Sequence, residues 1–190
     1  YLRGNHEEVI AMVLEGKVLS LEGWLDTFQG FSAVRSYGIA PERFARAGDT
    51  YLFDGIPLRT SEACIAALRK ILPESHIDFI SQSQYSSWLD EWFLCHAGLR
   101  LGARIEQHHD FELVWGDHQW YEASREELER SPFQPRVIIG HWHNRRPPVS
   151  AGYKRIVVAA ETEVSVMIYE DMVVVDNLGD VVKIKPEWYE

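Results

Sequence analysis

Up to about Ser81 the apolar positions recur at helical spacing, and beyond Tyr85 they gather into short β-rich runs separated by turn residues. Val9, Ile10, Val13 and Leu14 share one face of a helix predicted over Glu7–Leu14, with Gly16 as its stop. A second helix is expected over Leu19–Phe28, closed by Gly30, and Arg35-Ser36-Tyr37-Gly38 reads as a polar turn. Pro41–Ala47 reads as a short helix with proline in its first turn, and Asp54-Gly55 with Pro57 as a loop. Ser61–Leu72 is the clearest helix, and Pro73 both ends it and opens another over Glu74–Ser81. No strand is expected between Glu7 and Ser81.

The texture then changes. Tyr85–Leu89 and Trp92–Cys95 flank Asp90-Glu91 as a hairpin. Leu113–Trp115 is a short apolar stretch, and Ser124-Arg125-Glu126-Glu127 is a capping box that opens a helix. Strands are predicted at Val137–Ile139, Ile156–Ala159, Val164–Tyr169, Met172–Val175 and Val181–Ile184. The pattern predicts one α/β domain over residues 1–190, with a mostly helical segment 7–81 and a β-rich segment 85–190, and no linker between them.

Composition narrows the function classes. The chain has 190 residues, 46% of them hydrophobic and 12% aromatic, enough for one sizeable core. A formal charge of −10 argues against a broad electrostatic grip on nucleic acid or on an anionic membrane. No apolar run is long enough to span a bilayer. The two cysteines, Cys64 and Cys95, form neither a disulfide framework nor a CxxC site, so a reduced, cytoplasmic setting is expected.

Three histidine motifs carry the candidate chemistry. Asn5-His6 follows Gly4 at the start of a predicted helix, His96 follows Trp92-Phe93-Leu94-Cys95, and His141 follows Val137-Ile138-Ile139-Gly140. Strand ends of an α/β protein converge on one edge, where clefts form. Asn5, His96 and His141 together would offer one oxygen and two nitrogens to a single metal ion, with His6 beside it as a proton donor. Each motif also has a plainer reading, as a helix cap or a hydrogen-bonded surface histidine. That plainer reading is expected of His76, His108, His109 and His118. Cys95 and His96 are strand neighbours that point to opposite faces, which makes a poor nucleophile–base pair. Arg145-Arg146 is either a charged loop or a phosphate clamp, and Trp142 a packing residue.

In this order, Leu2-Arg3-Gly4-Asn5-His6-Glu7, Phe93-Leu94-Cys95-His96-Ala97-Gly98-Leu99-Arg100 and Val137-Ile138-Ile139-Gly140-His141 resemble the later motifs of the calcineurin-like metallophosphoesterases. The likeness is greatest to the bacterial phosphoprotein-phosphatase branch, which also holds diadenosine tetraphosphatases. It runs from Leu2 to about Pro148, with Gly23-Trp24-Leu25, Arg35-Ser36-Tyr37-Gly38 and Leu72-Pro73 lying between the motifs.

The resemblance implies a β-sandwich flanked by helices and hydrolysis of a phosphate ester or anhydride at two divalent ions (Mn, Fe or Zn). Asn5, His96 and His141 are implied as ligands of the second metal, and His6 as the acid that protonates the leaving oxygen. His143 would ligate the first metal in nuclease-like members. Arg100 and Arg145 are candidate substrate-binding cations. The implied substrates are a phosphorylated protein, a dinucleotide or another small phosphoester.

The family's Asp-x-His and Gly-Asp motifs, which supply the first metal shell, would lie before Gly4. The chain therefore reads as lacking its N-terminal strands, with little activity expected of it alone. Trp115-Gly116-Asp117 stands where that branch often carries an arginine. The alternatives are a non-catalytic domain with an incomplete metal centre and a nuclease of the same superfamily.

Overall fold

The computed structural model describes residues 1–18, 21–27, 30–132, 136–142, 149–152, 155–158, 165–168, 173–177 and 180–184. It is a mixed α/β structure that divides into two compact units, Asn5–Ser83 and Tyr1–Gly4 with Gln84–Glu190.

The Asn5–Ser83 unit is built on helices α1 (Asn5–Leu14), α2 (Glu22–Thr27), α3 (Gly30–Ser36), α4 (Ser61–Ile71) and α5 (Glu74–Gln82). Thr60 caps α4 by accepting a hydrogen bond from the Ala63 amide, and Pro73 precedes α5. The core joins Val13 of α1, Trp24 and Leu25 of α2, Val34 of α3, Leu68 of α4 and Ile77 and Ile80 of α5.

Several expectations fail in this unit, among them the polar turn at Arg35-Ser36, two residues that end α3. Gly30 does not close a helix but opens α3, where a Cβ would stand 2.7 Å from the Trp24 carbonyl oxygen and 2.9 Å from Leu25 Cα. A bare backbone is what lets α3 approach α2 so closely.

Pro41–Ala47 is not a helix: a 3₁₀ turn covers Pro41–Arg43, and strand β1 (Phe44–Ala47) follows. Strands β2 (Thr50–Phe53) and β3 (Ile56–Pro57) complete a three-stranded antiparallel sheet in a segment expected to hold no strand. The deciding signals are two two-residue turns. Ala47 pairs with Thr50 across Gly48-Asp49, and Phe53 pairs with Ile56 across Asp54-Gly55, where both central residues have positive φ. Phe31 then packs edge-on against Phe44 and Tyr51, which ties the small sheet to α3.

In the other unit, β4 (Ser86–Leu89) and β5 (Trp92–Cys95) form the predicted hairpin, with Leu89 opposite Trp92 and Asp90 at φ +51°. Helices α6 (Asp110–Trp115), α7 (His118–Glu122) and α8 (Arg125–Arg130) lead to β6 (Arg136–Ile139), β7 (Val149–Gly152) and β8 (Arg155–Val158). Leu113–Trp115 is thus the end of a helix rather than a separate apolar stretch. Strand β7 had no sequence expectation. Ser124 and Glu127 make the predicted capping box at α8.

The sheet runs β4-β5-β6-β8-β7, with β5, β6 and β8 parallel and the two edge strands antiparallel. A further three-stranded sheet holds β9 (Ser165–Ile168), β10 (Val173–Asn177) and β11 (Asp180–Ile184).

Register places Phe93 beside Val137 and Ile139 beside Val157, so Phe93, Cys95, Val137, Ile139 and Val157 share one sheet face. Leu113 and Trp120 cover that face. Arg155 lies on the same face. It donates to the carbonyls of Trp120 at 2.7 Å and Ala123 at 3.3 Å, and burial lowers its pKa. Among the described residues no helix is long and apolar enough to cross a membrane.

Candidate metal centre

Two adjacent parallel strands position the first histidine pair. Phe93 and Leu94 of β5 pair with Val137 and Ile138 of β6, so the residues after the strands, His96 and Gly140, fall level. The Gly140 amide donates to the His96 carbonyl at 2.7 Å and carries the ladder one step past both strands. The next residue is His141, and its Nδ1 stands 3.2 Å from His96 Nε2. Both rings are half-buried and meet edge to face, with centroids 5.1 Å apart.

His141 reaches this position through an uncommon backbone conformation. Its φ is +64°, and the Trp142 amide donates across it to the Gly140 carbonyl at 2.7 Å. That is a three-residue turn with a non-glycine residue at positive φ, a conformation that costs energy and persists where the surroundings hold it. The holder is Trp142. Its indole N–H donates to the Ala97 carbonyl at 2.6 Å, and its ring stacks on Tyr121 at 4.6 Å and 15°. Gly116 gives the indole room: a Cβ there would lie 3.0 Å from Trp142 Cζ2 and 2.8 Å from the Ala97 carbonyl oxygen. The Trp115-Gly116-Asp117 segment thus ends α6, opens α7 and seats Trp142. Trp142 does pack, as its sequence context suggests, and its packing fixes the histidine turn.

The pair suits a divalent ion in chemistry and spacing. Two imidazole nitrogens about 2.0–2.1 Å from one ion stand about 2.8–3.4 Å apart across the edge of an octahedron or tetrahedron. The observed 3.2 Å lies in that window. It also suits an N–H···N hydrogen bond, in which one ring donates and the other accepts. Only with both facing nitrogens unprotonated do the two rings offer their lone pairs to one ion. Among the described residues no group of three or more His, Cys, Asp or Glu gathers as a metal shell.

Asn5 and His6 belong to the Asn5–Ser83 unit, whereas His96 and His141 belong to the other. Asn5 is buried as the first residue of α1, and His6 beside it is exposed. His143 and Arg145 lie outside the described residues.

Arg100 is half exposed and committed to its own neighbourhood. It pairs with Glu112 at 3.1 Å and donates to the Gln107 carbonyl at 3.2 Å, beside a cavity of 290 Å³ lined also by Gly116, Asp117 and His118. The His109 backbone N–H, with Arg100 adding to it, holds the Glu112 carboxyl below its usual range.

Three other histidines have local partners. His108 Nε2 accepts from the Arg100 amide at 2.8 Å while its Nδ1 meets the Arg104 carbonyl at 2.8 Å. His118 faces Glu122 at 3.1 Å, and His76 meets the Tyr37 hydroxyl at 2.7 Å. Cys95 points away from His96 into the core, where its thiol donates to the Gly98 carbonyl and burial pushes its pKa up to about 12. A thiol held protonated is no nucleophile at neutral pH.

The roles of Trp142 and Gly116 in shaping the His141 turn were not legible in the sequence. The one available signal was an aromatic residue directly after a Gly-His pair.

Set beside protein-family models, curated proteins and solved structures, the chain matches none of them.

Proposed function

We propose that the chain is a metal-dependent phosphoesterase of the calcineurin-like type, with the β-rich unit as its sandwich and the His96–His141 pair as part of its metal centre. The observation that carries this reading is the meeting of the two imidazoles at 3.2 Å from motifs 45 residues apart. Their neighbours support it, because the strained turn at His141 is held by Trp142 and needs the bare Gly116 beneath it.

Asn5 is a further, neutral oxygen ligand only by what the resemblance implies. A divalent ion, when bound, neutralises phosphoryl oxygens and lowers the pKa of water. The chain's own residues do the rest. His6, exposed at the start of α1, is the acid the resemblance implies: it would give a proton to the departing ester oxygen as the P–O bond breaks, while the attacking water bonds to phosphorus and loses its own proton to solvent. The substrate class is a phosphorylated protein, a dinucleotide or another small phosphoester. A reduced compartment such as the cytoplasm suits two buried, free cysteines.

A second reading, a domain that keeps this architecture without a complete metal centre, is compatible with the described residues, which hold no group of three or more His, Cys, Asp or Glu.

Calorimetric titration with manganese and zinc tests the assignment. Wild type should bind a divalent ion, with affinity falling as pH drops through the ordinary histidine range near about 6.5, because ligating nitrogens must shed their protons. His96→Ala and His141→Ala should each abolish binding, and His108→Ala should not. Binding by His96→Ala as tight as wild type would remove the metal centre from this pair. Hydrolysis of p-nitrophenyl phosphate with manganese present then separates the two readings: metal binding without turnover favours the non-catalytic domain.

A further inference from the structure

The Asn5–Ser83 unit holds a cavity of 590 Å³ between α1, α2, α3 and α5. That is within the size range of small-molecule sites, about 300–1,000 Å³. Ile10, Trp24, Leu72 and Ile80 form its inner wall, all of them buried core residues. Phe79 stands at its mouth, 46% exposed, a large apolar side chain kept in contact with water. Besides the Ser75 hydroxyl, polar side chains occur at two places on the lining. At one, the Tyr37 hydroxyl and His76 Nδ1 are joined at 2.7 Å with their rings edge to face at 5.5 Å. At the other stand His6 and Glu7 of α1.

We propose that this cavity is a binding site for an uncharged aromatic ring with a hydrogen-bonding edge. Three properties of the lining select that chemistry. First, no lysine or arginine lines it among the described residues, and the Glu7 carboxylate on the lining disfavours a phosphate or carboxylate. Second, the wall is aliphatic and aromatic, and aromatic faces and edges attract a further ring beyond simple burial. Third, the Tyr37–His76 pair keeps hydrogen-bonding capacity: a phenol oxygen has two lone pairs, and the imidazole has a second nitrogen. A purely aliphatic ligand would waste those groups, and a sugar would leave the apolar wall unfilled.

Such a ring reaches a protein as a tyrosine-like side chain or as a nucleobase. The shared chemistry is a flat apolar body with a polar edge.

Ligand-observed NMR titration of the full chain, without added metal, tests the site. The probes are N-acetyltyrosinamide and adenosine, with methyl glucoside as an uncharged non-aromatic control. At least one aromatic probe should bind saturably, and the glucoside should not. Tyr37→Phe should weaken that binding about twofold to tenfold, the worth of one net hydrogen bond. Ala33→Trp fills the cavity from α3 and should abolish binding. Ser75→Trp, at an exposed lining position on α5, does the same from the surface without disturbing the core.

No binding by either aromatic probe overturns the proposal. So does equal binding of the glucoside, or aromatic binding that survives Ser75→Trp in a variant with wild-type melting. The titration needs no catalysis, so loss of binding would refute the cavity's role and leave the metal-centre reading untouched. Intact ring binding with no divalent-ion binding would refute only the latter.

Discussion

Replacing His141 by glycine and, separately, by alanine isolates the energy stored in its turn. Both substitutions remove the imidazole, its ring contact with Trp142 and its approach to His96. They differ in the backbone. Alanine keeps a Cβ at φ +64°, and glycine has none. Left-handed backbone costs an L-residue roughly 1–2 kcal/mol. Glycine gives back about 0.5–1 kcal/mol through the greater freedom of its unfolded chain. His141→Gly should therefore be the more stable variant by about 0.5–1 kcal/mol. With an m-value of about 1.5 kcal/mol/M, that is a rise of about 0.3–0.7 M in the urea midpoint over His141→Ala. Tryptophan fluorescence reads the transition, since Trp92, Trp120 and Trp142 lie in the same unit as His141. Calorimetry on the same samples should find no metal binding in either variant, so the stability difference between them reports the backbone alone. If His141→Ala is as stable as His141→Gly, the turn stores no strain, and the case that the fold holds it for a purpose fails.

The Cys95 thiol, with its pKa at about 12, leaves about one part in ten thousand as thiolate at pH 8. Ellman's reagent should not modify it until denaturant is added, and fast native-state labelling that Cys95→Ser removes would refute its burial. At α8 the Ser124 hydroxyl and amide hold the Glu127 carboxyl below its usual range, so the folded pKa lies under the unfolded one. The stability this contributes is present above the ordinary glutamate pKa of about 4.3 and is lost as pH falls through the folded value. The melting-temperature deficit of Glu127→Ala should accordingly shrink between pH 7 and pH 3, and a deficit that grows on acidification would contradict the box.

Much of the local structure was written in the chain. The helix over Ser61–Ile71, its stop at Pro73, the capping box at Ser124 and the hairpin around Asp90-Glu91 all follow from interactions within a few residues. So does the change of texture near Tyr85, which lies beside the boundary between the two compact units. The small sheet over Phe44–Pro57 was legible in principle through Gly48-Asp49 and Asp54-Gly55, but Pro41 and the alanines around it gave a competing helical signal. Packing of Phe31 against Phe44 and Tyr51 rewards the strands in a way that no local window records.

The candidate site divides along the same line. That His96 and His141 end apolar runs is a property of the sequence. That their facing nitrogens come within 3.2 Å is a property of the β5–β6 register, which long-range pairing alone sets. The positive φ of His141, the indole of Trp142 against the Ala97 carbonyl and the missing Cβ of Gly116 are three contributions from separate stretches to one turn. The cavity between the helices has the same character, since Trp24, Tyr37 and His76 become neighbours through helix packing. Sequence fixes which residues can bind a metal or stack on a ring, because that chemistry resides in the side chain. Tertiary structure fixes which of them meet, because distance between residues remote in the chain is set by the sum of all the packing around them.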